Sequence, residues 1–267
     1  MATTRINGCD LYFRDEGSGD RSVVFLPGVW MTSRYFGRQI PFFSERHRTV
    51  AFDFRAHGQS SVVQHGHTVA QYGRDLHALL ERLDMREVTA IGWSMGCMVI
   101  WEHLRQFGND RLRSMILVGQ SASDFRWPDW PHGPFDLARL TSVMAAVQTD
   151  QVSFVRAFIP RMFSGPVDTN DLAWMIDETS RPPAAIASTI FFDQTVQDYR
   201  PFLEEIRLPT LVCCGAHDRY VSREASEFTA RSIPNSRLQF FENSGHCPFL
   251  EEPLRFNEVV DSFIRMT

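Results

Sequence analysis

The chain has 267 residues, 43% hydrophobic and 22% charged, which is enough apolar sequence to bury the core of one α/β domain with an insertion. A formal net charge of -5 gives no basic face for nucleic acid or an anionic membrane, and no apolar run is long enough to span a bilayer. The opening MATTRINGCDLYF lacks a basic region followed by an apolar run, and Cys9, Cys97, Cys213, Cys214 and Cys247 show no C-x-x-C spacing. These features predict a cytoplasmic protein with no signal peptide, free and mostly buried thiols, and no zinc site.

In chain order, Asn7-Gly8 signals a hairpin between two short strands within residues 3–15. A turn at 17–20 leads into a buried strand at 22–26, which ends in Pro27-Gly28-Val29-Trp30. A helix is expected over 33–46, a strand over 49–54 and an amphipathic helix over 69–83, with Leu76, Leu79, Leu80 and Leu83 on one face. The β-branched, apolar run from Val88 predicts a buried strand, and the apolar residues from Met95 onward a mostly buried helix. Another strand follows at 115–119. Strands alternating with helices imply parallel pairing and right-handed crossovers, hence a mostly parallel, doubly wound sheet that binds ligands at the C-terminal ends of its strands.

From residue 121 to about 208 the strand pattern lapses. Pro128, Pro131, Pro134, Pro160, Pro166, Pro182 and Pro183 are expected to divide this stretch into short helices forming a cap, with 1–120 and 209–267 as the core. The stretch is rich in aromatics, which fits a lid over an apolar pocket. Trp30, Trp127, Trp130, Phe135 and Phe158 are the candidate substrate contacts, although for any single ring packing the insertion onto the core is the preferred explanation. The sheet pattern then resumes with a strand over 209–215, a helix over 222–232, a strand over 238–242 and an amphipathic closing helix from Pro253 to Met266.

Residues 92–96, GWSMG, match G-x-S-x-G where the strand gives way to the helix. A serine there projects its hydroxyl above the sheet, and the following helix aims its first N–H groups and positive dipole end at the same point. Ser94 is therefore the candidate nucleophile, and the Met95 N–H a candidate oxyanion donor. A serine needs a base, and the base needs a carboxylate to hold its tautomer. His246, in a glycine-bearing loop after the last strand, and Asp218, just past the preceding one, fit those roles. His57 reads as structural, bonded within its own turn, and Cys247 as a small packing residue.

The sequence resembles the α/β-hydrolase superfamily, and within it the small esterases, lactonases and cofactor-free haloperoxidases (perhydrolases). The resemblance rests on GWSMG at 92–96, GAHD ending at Asp218, SGH ending at His246, and DFRAHGQS at 53–60. It implies an α/β-hydrolase fold with a helical cap and an acyl-enzyme reaction on a small-molecule ester or lactone, with an apolar or aromatic substrate expected from the insertion. It implies no metal and no organic cofactor. Two departures stand out: Pro27 replaces the usual histidine before Gly28, and Ala56 the usual glycine before His57. The first leaves the backbone intact, so the Val29 N–H remains the expected second oxyanion donor. Asp124 is a reserve for the acid, because some members of this fold draw it from that position. An epoxide or haloalkane hydrolase would carry aspartate at position 94. Perhydrolysis, C–C hydrolysis of diketones and a non-catalytic receptor on the same fold are the alternatives.

Overall fold

The β-branched and aromatic runs form a single sheet in the computed structural model, which describes residues 2–267. Its strands are β1 (Ala2–Ile6), β2 (Cys9–Glu16), β3 (Ser22–Leu26), β4 (Arg48–Phe52), β5 (Val88–Trp93), β6 (Leu112–Val118), β7 (Thr210–Gly215) and β8 (Ser236–Phe241). They lie in the order β1-β2-β4-β3-β5-β6-β7-β8. β2 runs antiparallel to β1 and to β4, and every pair from β4 to β8 is parallel. β3 has β4 on one side and β5 on the other. The winding therefore reverses there, opening a crevice at the C-terminal ends of β3 and β5.

The helices are α1 (Gln39–Ser44), α2 (Val69–Arg82), α3 (Met95–Phe107), α4 (Leu137–Phe158), α5 (Thr169–Thr179), α6 (Ala184–Thr195), α7 (Arg200–Leu203), α8 (Arg223–Ser232), α9 (Pro248–Glu251) and α10 (Pro253–Met266). Alternation along each strand feeds two cores. Val24, Leu26, Val88 and Ala90 meet Leu76, Leu79 and Leu80 of α2 and Met98 and Val99 of α3 on one face. Val23, Phe25, Ile91 and Trp93 meet Ile40 and Phe43 of α1 and Val260, Phe263 and Ile264 of α10 on the other. With helices on both faces, every residue of β5 and β7 is buried. All five cysteines are buried and free. Among the described residues no helix is long and apolar enough to cross a membrane.

Two expectations need correction. The helix expected over 33–46 is a 3₁₀ turn at Ser33–Phe36 followed by the short α1. Pro41 has no N–H to return to a preceding turn, so it is tolerated in the first turn of α1 but not inside a helix that starts at residue 33. The second concerns the stretch between β6 and β7. Its helices are short as expected, but not every break falls at a proline: α4, between Pro134 and Pro160, is two helical segments meeting at a kink. α4 bends at Asp150 (φ -153, ψ 83), whose Oδ1 accepts the Ser153 N–H at 3.0 Å. That internal cap lets two helical segments join without a proline between them.

Candidate active site

β5 ends at Trp93 and α3 begins at Met95, so the chain reverses on Ser94, held at φ 52 and ψ -123. A non-glycine residue in that region is strained and persists only where its surroundings dictate it. Here they do. A Cβ on Gly92 would lie 2.6 Å from the Cys97 nitrogen, and one on Gly96 only 2.3 Å from the Leu26 carbonyl oxygen. Glycine at both positions lets α3 sit directly against the ends of β3 and β5. Ser94 N–H donates to the Val118 carbonyl at 2.9 Å, which fixes the turn to β6. Met95 is the first residue of α3, where an N–H has no intrahelical acceptor.

β7 and β8 deliver the next two side chains. Asp218 Oδ1 accepts the Tyr220 and Val221 N–H groups at 2.8 and 3.2 Å, and its Oδ2 lies 2.8 Å from His246 Nδ1. The His246 backbone is held on both sides: its N–H donates to Met162 O at 2.7 Å, and its carbonyl accepts from Trp93 Nε1 at 3.0 Å. With Nδ1 turned to the carboxylate, Nε2 is the nitrogen left for other chemistry. Ser94 and His246 border one cavity of about 40 Å³, together with Val29. Asp218 is the only side chain that His246 hydrogen-bonds among the described residues; Ser94 and His246 make no direct hydrogen bond and meet only as neighbours on the wall of that cavity.

The loop after β3 is positioned by His57. Nε2 of His57 accepts the Trp30 N–H at 3.0 Å, and Nδ1 donates to the Arg55 carbonyl at 3.0 Å. Both nitrogens are thus committed in the neutral form, and burial pushes the ring down to about 4. Arg55 in turn forms a buried two-pronged pair with Asp75 of α2, at 2.7 Å for each contact. Trp30 and Ala56 both take left-handed backbone (φ 63 and 61). The glycine usual at position 56 would adopt that angle freely, whereas alanine is strained there.

Asp124, the reserve acid, borders the cavity, but His246 Nδ1 turns to Asp218 instead. Asp124 Oδ1 accepts from Gln120 Nε2 at 2.7 Å and from Ser121 Oγ at 3.2 Å. Burial raises its carboxyl to about 6, against the lowering pull of those two donors and of His246. Of the candidate substrate contacts, Phe135 and Phe158 line the cavity. The three tryptophans lie elsewhere. Trp30 packs behind Phe158 and Phe191 and donates Nε1 to Ala187 O. Trp127 and Trp130 turn their Nε1 groups to Ser123, because a buried indole N–H needs an acceptor and the Ser123 turn offers two. Gln120, Phe191, Gln194, Tyr220 and Val221 also line the cavity. Gln120 follows the end of β6 closely enough for the strand-end rule to have found it; Gln194, inside α6, carries no sequence signal.

A family model described as the alpha/beta hydrolase family matches residues 23–259. The chain belongs to that family. This α/β-hydrolase is 28% identical over 260 residues to the non-heme chloroperoxidase CPO-A1 of Kitasatospora aureofaciens, covering 92% of this chain and 91% of the relative. It is 25% identical to 3-oxoadipate enol-lactonase 2 of Acinetobacter baylyi, covering 93% and 91% of the two chains. Its fold superposes on the crystal structure of a bromoperoxidase from Bacillus anthracis with a TM-score of 0.94 at 26% identity, covering 99% of each chain.

Proposed function

We propose that this α/β-hydrolase is a serine hydrolase that cleaves a carboxylic ester or lactone through an acyl-enzyme, with Ser94, His246 and Asp218 as its triad. One observation carries the reading: a serine on a strained strand-to-helix turn shares a small cavity with an imidazole whose far nitrogen is tied to a buried carboxylate. His246 Nε2 takes the Ser94 proton as Oγ attacks the carbonyl carbon, and Asp218 stabilises the imidazolium. The oxygen of the tetrahedral intermediate rests on the N–H groups of Met95 and Val29. Collapse breaks the carbonyl carbon–leaving oxygen bond, and the leaving alcohol takes its proton from His246. Water then enters with His246 as its base, and the acid is released. Losing one oxyanion donor typically costs ~10²–10³ in turnover, so His57, which holds the Val29–Trp30 turn, serves as a positioning residue.

The helical segment of residues 121–208 is proposed to act as a lid. It supplies Phe135, Phe158, Phe191 and Gln194 to the cavity over Ser94. Phe135, Phe158, Phe191 and Tyr220 also border an adjoining, mostly apolar channel of about 300 Å³ that continues between Val143 and Phe154. That channel suits an apolar or aromatic leaving group. Hydrolysis of p-nitrophenyl esters with short, long and aromatic acyl chains, and of lactones, tests the proposal. Turnover is expected in the wild type and not in Ser94→Ala; turnover that survives Ser94→Ala overturns it.

A second reading has its own support in the chloroperoxidase and bromoperoxidase names among the similar proteins. In it hydrogen peroxide replaces water in attacking the acyl-enzyme, giving a peracid. Bromination of a phenolic dye in the presence of bromide, which the peracid oxidises to hypobromous acid, would support it if it requires peroxide, a carboxylic acid and Ser94.

A further inference from the structure

We infer that Asp124 and Gln194 form a polar subsite in the Ser94 cavity that selects short acyl groups carrying a hydroxyl. This rests on the hydrolase reading for its substrate class, while its physical basis is separate. Gln194 is 3% exposed; its Oε1 is fully enclosed with no hydrogen-bond partner among the described residues, and its Nε2, which is not enclosed, donates to none of them either. Asp124 is 7% exposed, and both side-chain bonds that it accepts fall on Oδ1, which leaves Oδ2 free of them. The two side chains come from different parts of the chain, the turn after β6 and the body of α6, and border the same cavity as Ser94 and His246.

A buried polar group without a partner is destabilising, and native proteins rarely keep one unless a ligand or water satisfies it. Much of the remaining wall, including Val29, Phe135, Phe158 and Phe191, is apolar and offers no donor from its side chains. At about 40 Å³ the space beside Ser94 suits a few heavy atoms beyond the carbonyl. A hydroxyl two or three bonds from the carbonyl carbon can donate to Asp124 Oδ2 and accept from the Gln194 amide, and an all-carbon acyl group of the same shape leaves both groups unmet. Sites built to bond a substrate hydroxyl reject analogues lacking it far more strongly than apolar pockets discriminate by size. The acyl side is therefore polar and small, and the leaving-group channel apolar.

The test compares two isosteric esters, methyl 3-hydroxybutanoate and methyl 3-methylbutanoate, in which OH and CH₃ exchange places. Wild type should favour the hydroxy ester in kcat/KM by about 10²-fold or more. Gln194→Leu should bring the ratio close to one, and Asp124→Asn should lower it; two variants at separate positions guard against one failing to fold. Equal kcat/KM for the two esters in the wild type, or a ratio unmoved in both variants, overturns the inference. In parallel, calorimetry on Ser94→Ala compares binding of 3-hydroxybutanoate with 3-methylbutanoate. Tighter binding of the hydroxy acid supports the subsite even if no ester is turned over, an outcome that would defeat only the hydrolase reading. Equal binding of the two acids counts against the subsite whatever the kinetics.

Discussion

The backbone N–H of Trp30 donates to Nε2 of His57 at 3.0 Å, so an imidazole outside the proposed triad fixes the turn that presents Val29 to the cavity. The bond requires His57 to be neutral, since protonation turns its only acceptor into a donor.

His57→Ala leaves the Trp30 N–H and the Arg55 carbonyl without partners, at roughly 1–3 kcal/mol for each buried group. Urea unfolding should report that loss. kcat for ester hydrolysis should fall by about 10-fold or more, because the oxyanion geometry loosens with the turn. His57→Gln, which can bond at one end of the gap, should recover part of both. A variant with normal kcat despite lost stability would show that the turn does not need this support.

Two buried groups give opposite acid responses. The folded pKa of His57 lies near 4, below the ordinary 6.5, so its contribution is present above pH 6.5 and is lost as pH falls toward 4. Asp124 lies near 6, above the ordinary 3.8, so its charged form is penalised, and stability is lost as pH rises from about 4 through 6. Asp124→Asn keeps an acceptor for Gln120 and Ser121 while removing the charge. It should be more stable than the wild type at pH 7.5 by about 2–3 kcal/mol, and the gain should vanish below pH 4. Denaturant melts at three pH values check this; a gain independent of pH would mean that the charge is not its source.

Ala56 sits at φ 61, where a Cβ costs roughly 1–2 kcal/mol and glycine costs little. After the extra chain entropy of glycine, Ala56→Gly should stabilise by about 0.5–1 kcal/mol and leave turnover intact. Thermal unfolding would register a rise of about 2 °C. A drop in melting temperature would mean that the methyl group packs better than its backbone angle costs.

Gly28 offers a contrast with Gly96. A Cβ on Gly28 would come 3.3 Å from Ser94 Cβ, a tight but negotiable contact, whereas one on Gly96 would meet the Leu26 carbonyl at 2.3 Å. Gly96→Ala should destabilise by about 3 kcal/mol or more, as overpacking against fixed backbone does. Gly28→Ala should spare most stability and lower kcat by crowding Ser94. Equal melting temperatures for the two variants would contradict this ordering.

What the sequence could reveal followed from local rules. The strands and the 92–96 turn were legible because burial on both faces demands unbroken apolar runs and a strained serine demands flanking glycines. The positions of Asp218 and His246, each just past a strand, followed from the same topology. The break of α4 at Asp150 was hidden, since an internal aspartate cap looks like an ordinary polar residue. The places of Trp127 and Trp130 were not legible, because composition counts aromatic rings without showing where an indole N–H goes. Gln194 gave no sign, because its place on the cavity depends on how α6 lies over the sheet.

The central claim is that acyl transfer passes through Ser94. Rapid-quench peptide mass spectrometry on His246→Ala, mixed with p-nitrophenyl acetate, addresses it directly, because loss of the base slows deacylation as well as acylation and lets the intermediate persist. The account predicts one acetyl group on the peptide carrying Ser94, absent when Ser94 is also replaced by alanine. An acetyl group on another residue that persists without Ser94, alongside ester turnover undiminished in Ser94→Ala, would contradict it.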